Sequence, residues 1–175
     1  MSPRSFFGWT LLALSLAGCA SNVPAPIRDE LPTAPSVAEV RADPGRFVGS
    51  TVRWGGVIVA TRNEAEDSVV EIVQRDLDGS GRPKTSDRSE GRFLARVRGF
   101  LEPTIFAQGR EFTVTGRLAA PQPGAIGARP YDYPVVDAET YYLWPELPPP
   151  DYDPYWYDPW YPWYPYPWRY RPYPY

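Results

Sequence analysis

The stretch 92-RFLARVRGF-100 decides the fold. Phe93, Ala95 and Val97 fall on one side of it, and Arg92, Arg96 and Arg98 on the other. A period of two marks a β-strand with one face in a core and one in water. The pattern returns in 111-EFTVTGRL-118, where Phe112, Val114 and Leu118 oppose Glu111, Thr113, Thr115 and Arg117. Upstream, 52-VRWGGVIVAT-61 sets Val52, Trp54, Ile58 and Ala60 on one face. Its Gly55-Gly56 pair predicts a bulge or sharp bend. The run 68-SVVEIVQ-74 is apolar enough for a largely buried strand, and 134-PVVDAETYYLW-144 supplies a fifth. Before them, 36-SVAEVRADPGRF-47 has a capping serine, then Val37, Ala38 and Val40 at helical spacing, and Pro44-Gly45 as a stop. The expectation is a mainly β protein: a small antiparallel five-stranded OB-like barrel with one short helix, flanked by extended Pro-rich segments. A β-sandwich is the alternative.

Composition narrows the chemistry. The chain has 175 residues, 23 prolines, a net charge of −3, no histidine and one cysteine. A slightly acidic chain gives no global support to polyanion binding. The absence of histidine removes the usual general base, the commonest metal ligand and the near-neutral pH switch. One cysteine allows no internal disulfide and no thiolate cage.

That cysteine is Cys19, directly after an apolar run from Phe6 to Leu16. The run is shorter than the ~20 residues a spanning helix needs, but it suits a signal-peptide core behind the positive Arg4. Leu16-Ala17-Gly18-Cys19 resembles the bacterial lipobox. In that motif the cysteine thiol takes a diacylglyceryl group, and its freed amine takes an N-acyl chain. Two chains are what stable anchoring requires, at about 0.8 kcal/mol per buried methylene. By resemblance to lipoprotein sorting rules, Ala20-Ser21 in place of an aspartate favours the outer membrane.

Four segments follow: residues 1–18 as leader, 19–35 as lipidated cysteine and Pro-rich spacer, 36–147 as the β domain, and 148–175 as a tail. The spacer carries four prolines between Ala20 and Pro35, which favours extended chain that holds the domain off the membrane. The tail from Asp151 to Tyr175 holds nine tyrosines, four tryptophans and seven prolines. Its prolines forbid helix or central strand. Trp156, Trp160, Trp163 and Trp168 are its candidate stacking or partner contacts.

The blocks 49-GSTVRWGGVIV-59, 71-EIVQRDLDGSGRP-83, 91-GRFLARVRGFLEP-103, 109-GREFTVTGRL-118, 123-PGAIGARPYDYPVV-136 and 142-YLW-144 resemble the starvation-inducible outer membrane lipoprotein (Slp) family. The resemblance implies an acylated outer membrane protein linked to stress or stationary phase, with no enzymatic activity. Only Cys19 carries over with a definite role.

Other chemistry is weaker. Asp76, Asp78, Ser80 and Gly81 sit at positions 1, 3, 5 and 6 of an EF-hand pattern, but position 12 is Asp87, and Arg82, Lys84 and Arg88 add positive charge. A polar loop of turn formers accounts for the stretch. Glu64 with Glu66, or Glu71 with Asp76, are carboxylate pairs that nothing marks as buried. Outward-facing Arg53, Arg92, Arg96, Arg98 and Arg117 are candidates for a basic, anion-binding face; a solvated face is the plainer account. The sequence therefore leads to a periplasm-facing, lipid-anchored outer membrane protein with no cofactor beyond its lipid. Its expected partners are outer membrane lipids, peptidoglycan, lipopolysaccharide or an envelope protein, and not nucleic acid. The alternative is a barrel that binds a small anion or glycan on its arginine face.

Overall fold

The computed structural model describes residues 22–147. Three short helices, α1 (Ala25–Arg28), α2 (Val37–Ala42) and α3 (Pro44–Phe47), precede five strands: β1 (Thr51–Asn63), β2 (Asp67–Arg75), β3 (Arg92–Arg98), β4 (Glu111–Ile126) and β5 (Arg129–Leu143). The strands close in the order β1-β2-β3-β5-β4. That is the Greek-key order of the OB barrel. One pairing departs from the expectation of an antiparallel barrel: β3 and β5 run parallel, Leu94 opposite Val135 and Arg96 opposite Asp137. The chain crosses the barrel between them and returns in the same direction.

The alternation in β3 is real. Phe93, Ala95 and Val97 enter a core with Val52, Trp54, Ile58, Val70, Ile72, Phe112, Val114 and Val136. Trp54 meets Phe93 edge to face at 5.3 Å. The helix α2 forms where the sequence places it. Ser36 Oγ accepts from the Glu39 amide, and the Glu39 carboxylate accepts from the Ser36 amide. This reciprocal cap presents Val37 and Val40 to the core.

The bulge in β1 is displaced from its expected place. It falls at Val59, between Ile58 and Ala60 in the ladder with β2. Gly55 and Gly56 instead lie where β1 is gripped from both sides: Gly56 is opposite Gln74 on β2 and Phe112 on β4. A Cβ on Gly56 would stand 1.9 Å from the Val73 carbonyl oxygen. The pair permits close backbone approach.

Two segments beyond the expected strands are packed elements. Strands β4 and β5 continue beyond the barrel as a hairpin that pairs through Gln122–Tyr133 and Pro123–Asp132 to Ile126–Arg129. The Pro-rich arm is not free extended chain. From Ala25 it docks on the barrel, with Ile27 fully buried. Arg53 Nη1 donates to the carbonyls of Ile27 and Arg28, Thr115 Oγ1 to that of Pro26, and Trp54 Nε1 to that of Pro35. Residues 25–35 are therefore docked chain rather than free spacer.

Candidate functional site

An OB barrel offers ligands the outer face of β2 and β3, flanked by the β1–β2 and β4–β5 loops. Here that face is occupied by the chain itself. Val69, Leu94 and Val135 point out of the barrel, yet each is nearly fully buried, as is Tyr133. They form a second apolar cluster, roofed by Ala119, Ile126 and Tyr131 of the β4–β5 hairpin. The hairpin is fastened near its tip through Tyr131, which pairs with Gly124. Tyr131 Oη accepts from the Arg92 amide at 2.7 Å and donates to the Arg92 carbonyl at 3.1 Å. The Arg41 guanidinium stacks 4.6 Å from the Tyr131 ring centre.

The arginines point outward as expected, but they do not form a free basic face. Arg92 Nη1 donates to Glu71 Oε1 at 2.7 Å, and Arg96 Nη1 to Asp137 Oδ1 at 2.9 Å. Arg117 Nε reaches Glu139 Oε1 at 3.2 Å. Arg53 is spent on the arm. Arg98 is exposed at the end of β3, as is Arg117 on β4. Strand pairing sets Asp137 opposite both Arg96 and Arg117, so charges alternate across the sheet. The reason is register: each acid comes from a strand remote in sequence.

The loop with the EF-hand-like spacing closes on itself. Asp78 Oδ1 accepts from Ser80 N, Ser80 Oγ and Arg82 N at 2.6–3.0 Å. Burial pushes the Asp78 carboxyl up, but those hydrogen bonds outweigh it and hold the group below its ordinary value. Glu71, one of the weighed carboxylates, is committed to Arg92 and to the Tyr133 hydroxyl at 3.1 Å. Glu64 and Glu66 are exposed.

What the sequence did not reveal is a clamp on the outgoing chain. Arg82 Nε donates to Glu111 Oε2 at 2.6 Å and its Nη2 to the Pro145 carbonyl at 2.9 Å. Its guanidinium lies 5.5 Å from the Trp144 ring centre. Arg110 Nη2 donates to the Trp144 carbonyl at 2.9 Å, and the Trp144 indole donates to Thr113 Oγ1. A cleft of about 410 Å³ opens here between Gln108, Glu146 and Leu147. A second, of about 460 Å³, runs between the arm and the β1–β2 edge, with Lys84 and Arg75 facing Asp76 and Glu90. Cys19, Trp156, Trp160, Trp163 and Trp168 lie outside the described residues.

Residues 16–173 match the family described as Outer membrane lipoprotein Slp family. The chain is 35% identical over 149 residues to the uncharacterized lipoprotein YeaY of Escherichia coli K12, covering 82% of this chain and 76% of that one. It is 32% identical over 141 residues to the outer membrane protein Slp of the same organism, covering 78% and 74%. A Haemophilus influenzae protein without assigned role is 33% identical over 137 residues, covering 78% and 74%. Among solved structures, the small single-stranded DNA-binding protein from Streptomyces coelicolor superposes with a TM-score of 0.34 at 16% identity, over 54% of this chain and 94% of that one.

Proposed function

The chain belongs to the outer membrane lipoprotein Slp family, and from that membership we propose a non-enzymatic, structural role in the envelope under stress. In this reading Cys19 carries the lipid, the barrel faces the periplasm as a scaffold, and the aromatic tail makes the working contact. One observation carries the proposal. The face on which an OB barrel takes ligands is buried under the β4–β5 hairpin through Val69, Leu94, Tyr133 and Val135, which favours the aromatic segment 151–175 as the contact. The pairing of Arg92, Arg96 and Arg117 with carboxylates supports the same reading.

Complementation of a strain lacking this gene tests it. The full chain and Arg98→Glu should both restore stationary-phase envelope integrity, read as detergent resistance. A chain ending at residue 150 should reach the outer membrane and fail to restore it. The reverse pattern, rescue by the truncated chain and loss with Arg98→Glu, would move the function to the arginine face and overturn the proposal.

A further inference from the structure

The β3–β4 connection sorts its large apolar side chains two ways. Leu101 is buried, and Phe106 packs on the core. Phe100 and Ile105 are turned to solvent, 70% and 53% exposed. A lone exposed apolar side chain is ordinary on a protein surface. What sets these two apart is the loop that carries them, which is fastened along its length. The Gly99 amide donates to the Glu66 carbonyl at 2.9 Å. The Leu101 amide donates to Ser68 Oγ at 2.8 Å, and Asn63 Nδ2 donates to the Leu101 carbonyl at 3.1 Å. The Glu102 carbonyl accepts from the Ile105 and Phe106 amides at 3.0 and 2.9 Å. Arg110 Nη1 donates to the Ile105 carbonyl at 3.1 Å, and Thr61 Oγ1 to that of Phe106 at 2.8 Å. The backbone under both side chains is therefore ordered before anything binds, and a partner has no loop entropy to offset.

Charge at this end of the barrel selects the partner. The Gly99–Glu66 bond brings the β1–β2 turn alongside Phe100, and strand pairing sets Asp67 opposite Arg98. Glu64, Glu66, Asp67 and Glu102 thus stand around the exposed pair against Arg62 and Arg98, four carboxylates to two guanidiniums.

We propose that Phe100 and Ile105 are the apolar anchors of a protein-docking surface, and that its occupant is a partner protein offering an apolar recess rimmed by lysine or arginine. Anchors of this kind bind by filling a pocket from which water is excluded, and a rim of opposite charge steers the encounter. The same carboxylates disfavour other occupants. An anionic lipid surface would meet like charge, and two copies joined face to face would set the acidic excess against itself. The surface lies wholly within the described residues, so the proposal stands or falls apart from the role of the aromatic tail.

The test places benzoylphenylalanine at position 100, 105 or 79 of the full chain in cells. Gly79 is the control: it lies in the β2–β3 loop, at the other end of β2, and a Cβ there meets nothing within 4 Å. Ultraviolet light should join positions 100 and 105 to the same partner protein, at a yield at least tenfold above that at position 79. The cross-linked partner peptide should carry lysine or arginine beside its apolar residues. Glu64→Lys combined with Glu66→Lys should cut the adduct at least tenfold with the melting temperature kept. A chain ending at residue 150 should form it undiminished. Adducts with lipid, adducts between two copies of this chain, a yield no higher than at position 79, or an adduct that survives the charge reversal each overturn the proposal. Loss of the adduct in the shortened chain overturns it as well, by moving the contact to the tail.

Discussion

Tyr133 shows what a single side chain contributes. Its hydroxyl lies 3.1 Å from Glu71 Oε1 and 3.2 Å from the Ala125 carbonyl, beneath the hairpin it belongs to. Burial raises the phenol's pKa first, and the charge and hydrogen bond of Glu71 raise it further. The folded protein thus holds this proton more tightly than the unfolded chain does. The stability so gained is whole below the ordinary tyrosine value of about 10 and is lost as pH rises through the folded value. Thermal denaturation should show it: the melting temperature should fall between pH 9 and pH 11, and less so in Tyr133→Phe. An equal fall in both would remove Tyr133 from the cause. The outward set of Arg92 and Arg96 was legible at this scale, because a period of two fixes facing. Their neutralisation was not. Glu71 and Asp137 become neighbours only through strand register, which a single sequence does not encode locally.

At the scale of elements, strand positions were readable and strand lengths were not. The stretch 119–133 is crowded with proline and glycine, and no strand was expected there. It pairs nonetheless, because each strand of a two-stranded ribbon keeps one free edge where proline's missing N–H costs nothing. The arm from Ala25 to Pro35 misled in the same way. Its prolines describe a backbone without a ladder, and the barrel supplies partners from Arg53, Trp54 and Thr115 instead. Gly55-Gly56 was correctly marked as special, but for another reason than bending. Since a Cβ at Gly56 would overlap the Val73 carbonyl, Gly56→Ala should cost about 3 kcal/mol or more, measured by urea denaturation. A change below a third of that would show that β1 and β2 can part locally. Gly45→Ala, where a Cβ meets nothing within 4 Å, is the matched control.

For the whole molecule, the adjacency of the two ends governs how tension would pass through it. A load applied between the two ends of the described chain enters at Pro26 and leaves at Trp144, whose hydrogen-bond partners are Thr115 and Thr113 of β4. The pull is short-circuited across two threonines, and the ladders of β1, β2 and β3 lie off the force path. The arm's hydrogen bonds at Arg53 and Thr115 then act as a mechanical fuse that peels before the barrel shears. Stretching between handles at residues 20 and 150 should give a small first rupture that frees the arm, then a larger one for the barrel. Thr115→Val should lower the first force and leave the second unchanged; a single rupture would mean that arm and barrel fail as one body. With that order of rupture, the arm would give way under load while the barrel core stays folded.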